Sequence, residues 1–347
     1  MIGLGIGLNR VRLVGGSINS PTNLTSTFDV PTISGQVSWT DNSGGAAQYE
    51  VYSSYNGNPY VFLGTTAAGA TSYIDTTCKQ NASVVYRIRA KKGGAYSEYA
   101  TTSAINTPLC WKTDQTVRTD VTINQLQIAA GKTVNIDWGD GTNANYTGDN
   151  TNITKTYDAS AVNIFNIKLS GDTDSITYFY HIVQAKSYGD VSNWVLPSSL
   201  IYLNISSTNI SGDVSSWVLP SSLERIYIYL TSVSGALPNI TSTSSMVDYR
   251  LHRCNMSSTN IITFGVGLFN FNASNQNVTF STANIDKLLK AAADWYQLNA
   301  PTANCTYNLS GANMGIPTGG ATNVDIVRLI GYYSAAGFAA TVIVRTS

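Results

Sequence analysis

One dodecamer is written twice in this chain: "GDVSNWVLPSSL" from Gly189 to Leu200 and "GDVSSWVLPSSL" from Gly212 to Leu223, identical at eleven of twelve positions and 23 residues apart. A step this short constrains the fold strongly, because so small a unit cannot bury an apolar face alone and must stack on its neighbours. The agreement runs past the dodecamer. Leu200, Leu203, Ile205, Asn209 and Ile210 return as Leu223, Ile226, Ile228, Ser232 and Val233, and again as Met246, Tyr249, Leu251, Asn255 and Met256. One step upstream, Tyr180, Ile182, Lys186 and Gly189 fit in part. Leu203 and Ile205 lie two apart, so on a short strand both point into the coil. Asn209 is expected to turn inward, where its amide can satisfy backbone groups as the chain bends away. Ser232 and Lys186 would make that ladder irregular, and the dodecamer becomes the returning arc, with Trp194 stacked on Trp217.

The pattern L-x-x-L-x-I-x-x-x-N-I resembles a leucine-rich repeat, and the step falls in that family's window of roughly 20–29 residues. Beyond it, "STANIDKLLKAAADWYQL" places Ile285, Leu288, Leu289, Ala292 and Tyr296 at helical spacing behind candidate caps at Ser281 to Asn284. "NVDIVRLIGYYSAAG" predicts a second helix with Ile326, Leu329, Ile330 and Tyr333 inward and Gly337 as its stop. "CTYNLSGANMG" reads as another strand and turn of the solenoid, and "FAATVIVRTS" as a closing strand. The two helices are expected to cap the solenoid and hide its last open edge.

Residues 17–108 alternate short strands with turns, about seven strands in about 90 residues, the pattern of a β-sandwich. In "VVYRIRA", Val84, Tyr86, Ile88 and Ala90 share one face. The proline-led start at Pro21, "VSWT", "YEVYSSYNG" and "YRIRA" resemble a fibronectin type III domain, with Val84 where that family carries its corner tyrosine. Residues 109–176 contain a linker and then "WGDGT", "KTY" and "FNIKLSG", which resemble a PKD-type sandwich. Asp137, Asp140, Asn143 and Asn145 loosely suggest a calcium loop, but no bidentate Glu follows and Asp-Gly is a common hairpin turn, so a structural turn is preferred. The fold class is therefore mainly β and multidomain: two small sandwiches, then residues 177–347 as a short solenoid with a helical C-terminal cap.

Residues 1–16, "MIGLGIGLNRVRLVGG", form an apolar Gly-rich arm. Its apolar run is too short to span a membrane, no basic residues precede it, and no small-residue cleavage site follows. The Gly3, Gly5 and Gly7 spacing is GxGxG with no preceding strand, which does not fit a dinucleotide loop. An arm inserted into a partner subunit through Ile2, Leu4, Ile6 and Leu8 is expected instead.

Composition narrows the chemistry. Charged residues make up 12% of the 347-residue chain, and 20 Lys and Arg balance 20 Asp and Glu, so nothing marks a nucleic-acid or anionic-membrane partner. The four cysteines, Cys78, Cys110, Cys254 and Cys305, form no CxxC pair and read as small buried residues. Twelve N-x-S/T sequons, including Asn204, Asn209 and Asn277, are read as chance in an Asn/Ser/Thr-rich chain. Two histidines, His181 and His252, and no HExxH, GxSxG or P-loop leave little for catalysis. Asp190 and Asp213 occupy equivalent repeat positions and read as turn caps or an exposed ladder rather than a glycosidase pair. The chain is expected to be non-enzymatic, with no cofactor and no metal.

Adhesion is the sharper expectation. Tyr and Trp on β surfaces stack on sugar rings, and solenoids present extended faces. The candidate ligand contacts are Trp194, Trp217, Tyr202, Tyr227 and Tyr229; the competing reading packs both tryptophans between coils. The module order, with a start like "GLGIGLNR", resembles virion structural proteins of tailed phages infecting Bacteroidetes, including crAss-like phages. That resemblance implies a head or tail appendage, assembled in the host cytoplasm and attached to the virion through its N-terminal region. The partners it implies are other virion proteins (capsid, portal or tail), further copies of the chain in a dimer or trimer, and a host-surface glycan. A bacterial cell-surface adhesin or glycan-binding module is the alternative.

Overall fold

The computed structural model describes residues 18–116, 120–158, 163–181, 186–240, 245–265 and 267–345. The chain is mainly β and divides into two compact units, residues 1–78 with 83–106, and residues 79–82 with 107–347.

The first unit contains β1 (Thr22–Asp29), β2 (Ser34–Thr40), β3 (Gln48–Tyr55), β4 (Val61–Thr65), β5 (Ser72–Asp75), β6 (Ala82–Lys92), β7 (Ala95–Tyr96), β8 (Ala100–Thr101) and β9 (Ile105–Thr107). One sheet runs β1-β2-β5; the other runs β4-β3-β6-β7, with β8 and β9 also on β6. Strict alternation along β6 buries Val84, Tyr86, Ile88 and Ala90; Tyr49 and Val51 of neighbouring β3 lie beside Ala90 and Ile88, and Val37 and Trp39 of β2 in the other sheet are buried too. Val84 is an ordinary core residue, and the tie between the sheets is made two residues on: the Tyr86 hydroxyl donates to Asp75 at the end of β5 over 3.1 Å. The ring crosses so near β2 that a Cβ on Gly35 would lie 1.9 Å from the Tyr86 hydroxyl, which is why that position is glycine.

The second unit opens with β10 (Leu109–Asp114), β11 (Asp120–Ile128), β12 (Val134–Asp137), β13 (Asn143–Tyr146), β14 (Asp149–Thr156), β15 (Ile164–Gly171) and β16 (Ile176–Tyr180). The coils follow as β17 (Ser187–Asp190), β18 (Tyr202–Asn204), β19 (Asn209–Asp213), β20 (Arg225–Tyr227), β21 (Ser232–Leu237), β22 (Asp248–Arg250), β23 (Asn255–Thr259) and β24 (Asn270–Asn272). Then come α1 (Thr282–Leu298), β25 (Cys305–Leu309), α2 (Val324–Ala335) and β26 (Ala340–Val344). Two sheets run through all of it: an eight-stranded one, β13-β12-β15-β10-β17-β19-β21-β23, and a nine-stranded one, β14-β11-β16-β18-β20-β22-β24-β25-β26. Pairing is antiparallel up to β17 in the first and β16 in the second, and parallel beyond. The boundary expected at residue 176 therefore falls on the first residue of a strand shared by sandwich and solenoid.

Successive coils put Phe179, Leu203, Ile226, Tyr249, Phe271 and Tyr307 in register as one inward column, all buried. The upstream alignment is thereby corrected by one residue: Phe179 points inward and Tyr180 outward. Asn209 does not turn inward either; it is exposed, and the buried polar group is Thr208, whose hydroxyl donates to the Ile205 carbonyl at 2.8 Å. Thr231 repeats this on Ile228 at 2.8 Å, and the Cys254 thiol reaches the same carbonyl at 2.9 Å. A hydroxyl three residues further on satisfies that carbonyl without the longer reach an Asn would need.

The dodecamer is the turn of the eight-stranded ladder. Asp190 Oδ1 accepts from the Ser192 amide at 2.8 Å, and Ser192 Oγ accepts from the Asp213 amide of the next coil at 2.7 Å. Asp213 and Ser215 repeat both bonds, to Ser215 N at 2.8 Å and from Ala236 N at 2.7 Å. Gly212, at φ +125°, lets the coils approach; a Cβ there would lie 2.4 Å from Asp190 Oδ1.

The helices are the arcs of the last two coils, joining β24 to β25 and β25 to β26, and the nine-stranded ladder ends on β26 rather than beneath a helical lid. Parallel neighbours require a crossover, and a helix supplies it. The α1 face is the expected one; on α2, Ile326, Leu329 and Tyr333 are buried but Ile330 is 42% exposed, because the stripe turns away from the core there.

Candidate functional site: the outward face of the nine-stranded ladder

Side chains of β16, β18, β20 and β22 that do not point into the coil form an aromatic and polar strip. Register aligns Tyr178, Tyr202, Arg225, Asp248 and Asn270 in one row and Tyr180, Asn204, Tyr227, Arg250 and Asn272 in the next. Tyr202 is the hub: its ring centroid lies 5.8 Å from Tyr178, 5.9 Å from Tyr180 and 5.3 Å from Tyr227, at tilted or edge-on angles. Asn204, buried at the end of β18, donates to the Tyr202 hydroxyl at 2.9 Å, which fixes the ring's direction. Tyr229 stacks on His252 at 4.6 Å and 11°.

A saturated carboxylate anchors the strip. Asp248 is fully buried, accepts a bidentate pair from Arg250 at 2.9 and 2.7 Å, and takes a third bond from Asn270 at 2.6 Å. The Tyr227 hydroxyl donates to the same carboxylate, and the Arg250 guanidinium lies 4.5 Å from the Tyr227 ring centre. Burial first, then the hydrogen bond to Asp248, raises the Tyr227 phenol above its ordinary range, so it stays a neutral donor. His252 is pushed down to about 4 by burial and by repulsion from Arg253 and Arg250, and is neutral at physiological pH. Ring faces, neutral hydroxyls and oriented amides suit stacking and hydrogen bonding, whereas Asp248 has its lone pairs engaged and offers no free base.

Of the residues expected to touch a ligand, Tyr202, Tyr227 and Tyr229 lie together on this face. Trp194 and Trp217 do not: they are 4% and 5% exposed and stack on each other at 6.4 Å and 2°. Their indole N–H groups donate to the Cys110 and Val191 carbonyls at 3.1 and 3.0 Å. They are inter-coil packing, corrected from candidate contacts because the arc folds them under the ladder. Ile2, Leu4, Ile6 and Leu8 lie outside the described residues.

Other expected positions resolve as structure. Asp140 accepts from Thr142 N at 3.0 Å and pairs with Lys155 at 2.7 Å, while Asp137 pairs with Lys168 at 2.9 Å. This is a closed hairpin turn. Asn204, Asn272 and Asn308, each in an N-x-S triplet, end strands by accepting from the backbone N–H of Ser206, Ser274 and Ser310 at 3.1, 3.1 and 3.3 Å. Those sequons are Asx turns. All four cysteines are buried and none is in a disulfide.

The chain matches no family model and no curated protein. Among solved structures it is similar to a Fn3-like protein from Clostridium thermocellum, at 24% identity over 27% of this chain and 97% of that one, with a TM-score of 0.24. It is also similar to the pectate lyase Pel3 from Pectobacterium carotovorum, at 8% identity over 75% of this chain and 86% of that one, with a TM-score of 0.21.

Proposed function

We propose that this chain is a non-enzymatic appendage subunit of a tailed-phage virion, head or tail fibre, whose nine-stranded ladder binds a host-surface glycan through its outward face. The observation that carries the binding half is the strip of five tyrosines, Tyr178, Tyr180, Tyr202, Tyr227 and Tyr229, with its rings braced at tilted or edge-to-face angles and its central carboxylate paired with Arg250. The virion half rests on the sequence resemblance, with the N-terminal arm as the attachment to capsid, portal or tail and with oligomerisation to a dimer or trimer. The first unit reads as fibronectin type III-like, the Trp138-Gly139-Asp140-Gly141 hairpin supports a PKD-like start to the second, and the 23-residue step with Leu203 and Ile205 inward supports a leucine-rich-repeat-like array.

Two experiments test this. Purified full-length protein on an array of bacterial surface polysaccharides should bind a subset, and Tyr202→Ala should weaken binding about tenfold, the scale of one buried aromatic contact. Binding by no glycan, or shortening of the polysaccharide chains on incubation, would overturn the reading. Mass spectrometry of purified particles should find the chain; its presence on a bacterial envelope instead would favour a cell-surface adhesin with the same glycan face.

A further inference from the structure

The first unit carries a second built surface. On the outward side of β6, alternate residues Arg87, Arg89 and Lys91 form a row of cations about 7 Å apart. Register sets Tyr52 opposite Arg87, Glu50 opposite Arg89 and Tyr96 opposite Lys91, with Phe62 beyond Tyr52. The Arg87 guanidinium is enclosed by three rings, 4.2 Å from the centre of Tyr60, 4.3 Å from Tyr99 and 5.0 Å from Tyr52. Arg89 lies 4.0 Å over Tyr96.

The charges do not balance. Glu50 is the carboxylate of the array; it takes Arg89 at 2.7 Å and Lys91 at 3.0 Å, with the Tyr52 hydroxyl at 3.1 Å. Burial pushes its carboxyl up, but the hydrogen bonds from Arg89, Lys91 and Tyr52 outweigh that and hold it below its ordinary value. Arg87 has rings on its faces, yet its Nε is buried with no acceptor among the described residues. A guanidinium held by aromatic faces keeps its planar edge for an oxyanion. Beside it, Phe62 and Tyr96, with Tyr52 tilted against the first and Arg89 over one face of the second, remain 52% and 45% exposed among the described residues.

We propose that this face of the sheet β4-β3-β6-β7 binds an acidic polysaccharide, with carboxylates paired to Arg87 and its neighbouring cations and sugar rings laid on Tyr60, Phe62 and Tyr96. A row of cations fits a repeating polyanion better than a single anion, and the interleaved rings favour a saccharide over a bare phosphate chain. The site is separate from the tyrosine strip of the solenoid and goes beyond the function proposed for it.

The test uses the full chain with polygalacturonate as the acidic polymer and dextran as the neutral one. Polygalacturonate should bind, with affinity falling as salt rises, and dextran should not. Arg87→Gln should weaken polygalacturonate binding about tenfold or more, the scale of one charge-assisted contact. Lys91→Gln, at a position whose side chain is 34% exposed, gives a second variant if the first fails to fold. Loss of polygalacturonate binding in Tyr202→Ala but not in Arg87→Gln would place the polymer on the solenoid strip and overturn the proposal, which separates this site from the solenoid one. Equal binding of dextran, unchanged affinity in a folded Arg87→Gln or Lys91→Gln variant, or tighter binding of duplex DNA or anionic vesicles would each overturn the proposal.

Discussion

Along the eight-stranded ladder the coils repeat their residues; along the outward face of the nine-stranded ladder they do not. Gly189 and Gly212, Asp190 and Asp213, Ser192 and Ser215, and Trp194 and Trp217 recur because together they join coil to coil: each serine accepts from the next coil's backbone, each aspartate caps its serine, Gly212 packs on Asp190, and the tryptophans stack. The opposite row reads Tyr202, Arg225, Asp248, Asn270 and Thr306. Both rows sit on the same backbone with the same spacing. Identity across coils thus marks contacts that repeat from coil to coil, and divergence marks a row whose contacts change at each step, such as Tyr202 with Tyr227 and Asp248 with Asn270. The doubled dodecamer is architecture, and the proposed ligand face lies where the repeat is silent.

The largest effect that could break this contrast is Trp217→Ala. Deleting a buried indole should cost about 4 kcal/mol through lost burial and a residual cavity. Chemical denaturation of the full chain would measure it. At temperatures where the variant is still folded, glycan binding should persist; lost binding with intact stability would return Trp217 to the ligand site.

The seam between the ladders is the next place to press. His181 follows β16 and bridges both sheets, with Nδ1 2.9 Å from the Thr122 carbonyl and Nε2 2.8 Å from Ser187 Oγ. A carbonyl only accepts, so Nδ1 carries the proton and Nε2 accepts from Ser187. Burial drives its pKa down to about 4. The unfolded chain, near 6.5, binds the proton first, so this contribution is fully present above about 6.5 and drains away as pH falls to about 4. The loss should reach about 3 kcal/mol. The pH dependence of Tm in the wild type against His181→Gln would show it as a slope that the variant lacks.

A smaller loss is expected at the glycine of the repeated turn. Gly212→Ala places a Cβ 2.4 Å from Asp190 Oδ1 at φ +125°, so the carboxylate must move off its Ser192 cap. About 2 to 3 kcal/mol should be lost. Gly320→Ala, also at positive φ but with open space around it, isolates the backbone part and should cost about 1 kcal/mol.

The inward columns were readable in sequence because they repeat: Leu203, Ile226 and Tyr249 at a fixed step, and the α1 face at helical spacing. What the step could not carry is lateral register. The continuity of sandwich and solenoid depends on β10 pairing with both β15 and β17, contacts that leave no local periodicity. The exchange of Asn209 for Thr208, and of Tyr180 for Phe179, are one-residue displacements, enough to flip a side chain to the other face. Three tyrosines of the outward strip were visible as aromatic residues. Their partners Asp248, Arg250 and Asn270 were not, because they come together only when neighbouring coils are stacked.

The smallest stability change should accompany the largest change in binding, at Tyr202. Its ring is braced by three others and one amide, but it lies on the outward side of β18, so Tyr202→Ala opens no core cavity. The stability cost should be about 1 kcal/mol, the scale of a single hydrogen bond or edge-to-face contact at a half-exposed position. Glycan affinity should nevertheless fall about tenfold, because the ring both stacks and orients Tyr227. Tyr202→Phe separates these roles: it keeps the ring contacts, removes the hydroxyl that Asn204 meets, and should retain most of the stability while losing hydroxyl-dependent affinity. If Tyr202→Ala instead destabilised the chain as much as Trp217→Ala while sparing glycan binding, the two ladders would not differ in role, and divergence across coils would no longer mark the functional face.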